Sequence, residues 1–340
     1  MTWLIFLCAA IVVLISGQRL TRAGDRLAEE TGISRGFIGV ILLGFVTSLP
    51  ELVSTISATL FSGAPNLAMG NIFGSNACNL AILAVLDLLV ISKTCTARNQ
   101  LDDDSRLTAY LSLIVISLAM MALSARGHWH ILHLDLFSVV IALTYLIGLQ
   151  KLHRFQQNFA TADTAQSGAT ETEKGETAPN ENHISPELKR SLIVNAAIIV
   201  AASMTLAASA EHIAKITGWG TTFVGNSLLA IATSLPEIVV TFSAVRLGSF
   251  AMAAGNIFGS NIFNITILAI ADLFYFHSSL FAAAAPSQGL IAAIGLLMSG
   301  LYLFAGHYAS ERKLAGRWPV DSLLVVGVYL FSLYALFVLR

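Results

Sequence analysis

Charge is what this chain has least of. Only 11% of its 340 residues are Asp, Glu, Lys or Arg, whereas 56% are apolar and mean hydropathy is +0.75. A soluble domain carries about 25% charged residues, so a water-soluble globule is excluded. The formal net charge is −1, which leaves no basic footprint for nucleic acid. Three cysteines, Cys8, Cys78 and Cys95, are scattered without CxxC spacing. Neither a disulfide framework nor a zinc site is expected from them, and Cys78 reads as a small packing residue. No HExxH run occurs, and no pair of aspartates sits in the middle of an apolar segment. The chain is therefore not expected to be an enzyme or to hold a cofactor.

What is present is one long apolar run after another. Residues 3–18 open the series. They resemble a secretory signal, but no Lys or Arg precedes them and many runs follow, so they read as a retained helix. Further runs cover 36–61, 65–91, 107–125 and 131–150, then 191–211, 221–246, 249–276, 287–306 and 320–339. About 20 apolar residues cross a bilayer core, and the bilayer is the first partner the sequence implies. The second run is expected to break at Pro50 and the third at Gly70 and Gly74. Residues 19–35, with Arg19, Arg22, Arg26 and Arg35, are expected to form a loop. Residues 155–187 hold almost no large apolar side chains and read as a disordered linker. The division is 1–154, a linker at 155–187, and 188–340.

Two motifs occur twice. Thr47-Ser48-Leu49-Pro50-Glu51 returns as Thr233-Ser234-Leu235-Pro236-Glu237, and Gly70-Asn71-Ile72-Phe73-Gly74-Ser75-Asn76 returns as Gly255-Asn256-Ile257-Phe258-Gly259-Ser260-Asn261. The offsets are 237 − 51 = 186 and 256 − 71 = 185. Identities of five and seven residues in register mean an internal duplication. Five runs lie in each half. An odd number forces the second half to enter the membrane from the opposite side, so the expected fold is all-α, with ten transmembrane helices in two inverted five-helix repeats. With alternate loops placed on one side, sixteen of the 19 Lys and Arg fall there, leaving Arg126, Lys215 and Arg340 opposite. The positive-inside bias then puts the linker in the cytoplasm and both termini outside it.

The repeated motifs put polar groups where they are expensive. A charged residue at mid-membrane costs about 2.5–3.5 kcal/mol on insertion scales and marks function by default. Pro50 and Pro236 remove helical hydrogen bonds to the carbonyls of Val46 and Ala232. Freed carbonyls at that depth need a cavity, water or an ion. Helical spacing sets Thr47 beside Glu51, Thr233 beside Glu237, Ser75 beside Asn79 and Ser260 beside Asn264. All supply oxygen, and oxygen-only clusters suit hard cations such as Na⁺ and Ca²⁺. Asp87 and Asp272 also correspond, but near run ends, where an interfacial or capping role is expected.

These paired motifs resemble the α-repeats of the cation/Ca²⁺ exchanger superfamily, most nearly its prokaryotic Na⁺/Ca²⁺ exchanger-type proteins, over all of the chain but the linker. The resemblance implies a multi-pass antiporter of the inner or plasma membrane. It would exchange Ca²⁺ for Na⁺ by alternating access at a midplane site shared by the repeats. Ca²⁺/H⁺ or K⁺-dependent exchange on the same fold is the alternative. It implies Glu51 and Glu237 as shared carboxylate ligands, with oxygen from Thr47, Ser48, Thr233, Ser234, Ser75 and Ser260. Gly44 and Ala230 match positions whose carbonyls line Na⁺ sites, and Asn79 and Asn264 match the remaining corners. Some family members carry Asp at one of those corners; this chain has Asn at both.

Overall fold

The computed structural model describes residues 1–90, 103–125, 129–131, 133–166, 184–217, 230–307, 313–314 and 318–338. The polar loop at 91–102, most of the expected linker and the start of the run at 221–246 lie outside them.

The first helix, α1, spans Thr2–Thr31 and ends on Gly32, whose φ of 69° lets its N–H close on the Ala28 carbonyl. Left-handed geometry at that position favours glycine. Helix α1 thus corrects the expected loop at 19–35. Thirty residues make a rod of about 45 Å, longer than its apolar run, and Arg19, Arg22 and Arg26 lie on that helix. The chain then returns through Ser34, whose hydroxyl accepts from Phe37 N–H at 3.1 Å. Arg35 bridges Asp25 at 2.6 Å and Glu29 at 2.9 Å, tying this return to the end of α1.

The next span is broken. Short helix α2 (Arg35–Ile38) runs into a π-helical turn (Gly39–Leu43), then α3 (Gly44–Thr47), then α4 (Leu49–Leu60). The two parts are bent by 41°. The break falls at Ser48, with φ −89° and ψ 2°, two residues before the expected position. Pro50 sits in the first turn of α4, where a missing N–H has no partner to lose. The proline therefore forbids continuation of α3 without damaging α4. Gly63, with φ 54°, makes the turn into α5 (Pro65–Val90). This helix is continuous, so Gly70 and Gly74 do not interrupt it as expected.

Helices α6 (Asp103–Ala125) and α7 (Leu136–Gln166) complete the first half, with the two-residue strands β1 (His130–Ile131) and β2 (Leu134–Asp135) just before α7. Helix α7 runs through Gln166, so the stretch expected to be disordered from 155 begins as helix. The second half follows the same plan. It comprises α8 (Pro186–Thr217), the broken pair α9 (Ala230–Thr233) and α10 (Leu235–Arg246), continuous α11 (Phe250–Leu273), α12 (Pro286–His307), strands β3 (Lys313–Leu314) and β4 (Trp318–Pro319), and α13 (Val320–Val338). Ser234 repeats the break of Ser48, with φ −83° and ψ 2°.

Among the described residues, seven helices are long and apolar enough to cross a membrane, and the bent pair Arg35–Thr47 with Leu49–Leu60 makes an eighth span. Burial sorts them. In its apolar window α11 is 94% buried and α5 78%, against 17% for α7 and 28% for α8. These two helices are therefore the most enclosed by protein. The others present large apolar side chains outward, such as Trp3, Leu7 and Ile11 of α1 and Leu143, Leu146 and Ile147 of α7, as a lipid-facing surface requires.

Asp272, expected in an interfacial or capping role, ties the start of α7 to the turn after α11. Its carboxylate accepts from Asp135 N–H at 2.8 Å, Ser138 Oγ at 2.6 Å and Leu280 N–H at 2.6 Å. Asp87 takes the related position at the other fifth helix, accepting from Ser322 Oγ at 3.2 Å.

Candidate ion-binding site

The enclosed helices α5 and α11 carry one motif each, and the two breaks at Ser48 and Ser234 carry the other. Close approach is what brings them together. A Cβ on Gly44 would lie 2.8 Å from the Ser260 nitrogen, and one on Gly259 would lie 2.6 Å from the Val40 carbonyl oxygen. A Cβ on Gly255 would collide with the Gly36 carbonyl, and one on Gly39 with that of Met252. Gly39 and Gly44 on one side, and Gly255 and Gly259 on the other, let the π-helical turn and α3 lie backbone to backbone on α11.

Both glutamates are fully buried. Glu51 Oε1 accepts from Ser75 Oγ at 3.4 Å, and Thr233 also hydrogen-bonds its carboxylate. Glu237 Oε1 accepts from Ser48 Oγ at 3.3 Å, and Thr47 supports it as well. Each carboxylate is therefore held by a hydroxyl from the other half of the chain. Thr47 Oγ1 also lies 3.1 Å from Ser260 Oγ and 3.4 Å from Asn256 Oδ1, and Ser260 Oγ donates to the Gly44 carbonyl at 3.2 Å. Ser234 is buried at the second break. Ala230 opens α9, but its side chain lies outside the described residues.

Asn79 and Asn264, fully buried, follow Ser75 and Ser260 by one helical turn. Asn79 Nδ2 donates to Asn261 Oδ1 at 3.0 Å, and Asn264 Nδ2 donates to Asn76 Oδ1 at 2.9 Å. Asn76 and Asn261 belong to the repeated motif, yet the sequence assigned them no role. Asn71 and Asn256 do not join the carboxylates directly. Their amides are fixed by Thr55 at 3.3 Å and Thr241 at 2.9 Å. Those threonines were also missed, although 241 − 55 = 186 repeats the motif offset.

Six side-chain oxygens of the motif residues and their neighbours have no hydrogen-bond partner among the described residues: Glu51 Oε2, Asn79 Oδ1, Glu237 Oε2, Asn264 Oδ1, Asn71 Oδ1 and Ser234 Oγ. The first four form two corresponding pairs, one in each half. An unsatisfied buried acceptor is costly, by about 1–3 kcal/mol and more when charged. A set of four, all oxygen and two of them carboxylate, is the donor set of a hard cation. Among the described residues no three His, Cys, Asp or Glu side chains converge.

Comparison with known proteins gives the family. The model of the family described as "Sodium/calcium exchanger protein" matches residues 1–149 and 191–340. Sodium/calcium exchanger MaX1 of Methanosarcina acetivorans is 26% identical over 80% of this chain and 83% of its own. Inner membrane protein YrbG of Escherichia coli is 27% identical over 76% and 75%. Among solved structures, the sodium-calcium exchanger NCX_Mj, soaked with Na⁺ and Sr²⁺, superposes with a TM-score of 0.70 at 21% identity, covering 98% of this chain and 99% of that one. That likeness is one of fold. With the family model matching nearly all of both halves, the chain belongs to the sodium/calcium exchanger protein family.

Proposed function

We propose that this member exchanges Ca²⁺ for Na⁺ across the inner or plasma membrane, binding both at the glutamate–asparagine shell. The observation that carries this reading is the set of four unpartnered acceptor oxygens, fully buried and matched between the halves. With both glutamates ionised the shell holds two negative charges. One Ca²⁺ or two Na⁺ balance them, and either exchange leaves the buried site neutral. Thr47, Ser48, Thr233, Ser234, Ser75 and Ser260 add oxygen around the carboxylates, as do the carbonyls of Gly44 and Ala230.

Ten spans follow if the apolar helix Val320–Tyr334 and the second broken segment cross the membrane with the other eight. Five per half, inverted, give two related bundles that can trade conformations about one central site, the recurring design of secondary transporters. Residues 1–154 and 188–340 are then the two repeats, with the cytoplasmic linker between them and both termini outside.

The test is uptake of radiolabelled Ca²⁺ into proteoliposomes under imposed Na⁺, H⁺ or K⁺ gradients. Uptake driven by an outward Na⁺ gradient alone is the expected result. Uptake driven only by H⁺, or needing K⁺, would reassign the coupling ion. Uptake that needs no counter-ion would make the protein a channel.

A further inference from the structure

The four asparagines at the crossing of α5 and α11 form a closed circuit. Asn76 Nδ2 donates to the Asn261 backbone carbonyl at 3.2 Å, and Asn261 Nδ2 to the Asn76 carbonyl at 3.4 Å. These two bonds fix more than the crossing. A carbonyl oxygen can only accept, so the nitrogen end of each amide must point at it. Each Oδ1 therefore points the other way, toward Asn264 from Asn76 and toward Asn79 from Asn261. Those oxygens can only accept in turn, so Asn264 and Asn79 must present their nitrogens to them. The oxygens of Asn264 and Asn79 are then left over, and they are the unpartnered acceptors of the shell. An amide that rotates half a turn would show its NH₂ group to a cation instead. Every step is settled by donor and acceptor chemistry.

We infer that Asn76 and Asn261 are positioning residues: they set the amides of Asn264 and Asn79 with oxygen toward the bound cation, each half of the chain orienting the ligand of the other. This rests on the proposed cation site and extends it to two side chains that do not touch the ion. Both are almost completely buried, at 2% and 0% exposure. It also explains why both corners can be neutral. A neutral amide serves a cation only if its orientation is enforced, whereas a carboxylate has no wrong end.

The test uses the full chain, in proteoliposomes for uptake and in detergent for thermal stabilisation by Na⁺ and by Ca²⁺. Wild type is compared with Asn76→Leu, Asn76→Asp, Asn264→Ala and the double variant Asn76→Leu/Asn264→Ala. Asn76→Leu should raise the half-saturating cation concentration about tenfold, with maximal rate kept within about twofold. Asn76→Asp keeps an acceptor for Asn264 Nδ2 but loses the donor to the Asn261 carbonyl, so it should recover part of that loss. In the Asn264→Ala background, Asn76→Leu should add less than about a twofold change, because coupled residues are not additive. An unchanged half-saturation in Asn76→Leu, or independent losses that multiply in the double variant, would overturn the inference. Should Asn76→Leu fail to reach the membrane, Asn76→Ser, too short to reach residue 264, carries the same expectation. If wild type takes up no Ca²⁺ at all, the proposed exchange fails, and the same cycle is read from stabilisation by Na⁺.

Discussion

Each glutamate stands in a different relation to its neighbours than the sequence alone could show. Spacing within a helix paired Thr47 with Glu51 and Thr233 with Glu237, whereas the hydroxyls that hold each carboxylate include ones from the opposite half. Side-chain types and their repetition were legible because a duplicated costly cluster stands out in an apolar run. Contacts across the halves were not, because nothing in one helix names the residue it crosses. That is also why Asn76, Asn261, Thr55 and Thr241 were overlooked. The first prediction belongs at this scale. Glu51→Gln and Glu237→Gln each leave one charge against a divalent cation, and each should abolish Ca²⁺ uptake with the protein still inserted. Robust Ca²⁺ exchange in either variant would place the divalent ion elsewhere. Asn264→Asp should retain Ca²⁺ binding while changing how protons and Na⁺ compete with it, measured as uptake against pH and Na⁺.

For the helices, the sequence foresaw that something breaks at each proline but misjudged where and which element. A proline read as a breaker here sits in the first turn of a helix. The glycines read as breakers, Gly70 and Gly74, lie inside a continuous helix, and other glycines, such as Gly255 and Gly259, are the contact points. Pattern reading treats both as interruptions because it cannot see what approaches the backbone. The difference is testable by alanine substitution. Gly259→Ala must accommodate a Cβ 2.6 Å from the Val40 oxygen, so it should destabilise by about 1–3 kcal/mol, as overpacking does. Gly300→Ala, within α12 and with nothing within 4 Å, should stabilise by about 0.5–1 kcal/mol. Thermal unfolding in detergent compares the two, and equal shifts would deny the close contact its importance. Pro50→Ala should raise thermal stability while weakening cation affinity, since up to about 3 kcal/mol becomes available for running α3 straight into α4. A variant with wild-type affinity would show that the bend persists without its proline.

For the molecule as a whole, inversion of the two halves is read from charge bias and helix count. Single cysteines at Ser167→Cys and Arg340→Cys, in a background without Cys8, Cys78 and Cys95, should react with an impermeant reagent from opposite sides. Labelling from the same side would undo the inversion and the sharing of one site between related bundles. Asp87 and Asp272 add a consequence for how the protein is made. The start of α7, whose own cap is Asp135, is tied down by Asp272, 134 residues further along the chain from Ser138, and Ser322 of α13 is held by Asp87. On a ribosome adding about 5–20 residues per second, the fifth helix waits roughly 7–27 s for that tether to be synthesised. Until then its first turn has no carboxylate from the other half. A first half expressed by itself should enter the membrane, stay open at that helix and be degraded. Supplying the second half as a separate chain should rescue it.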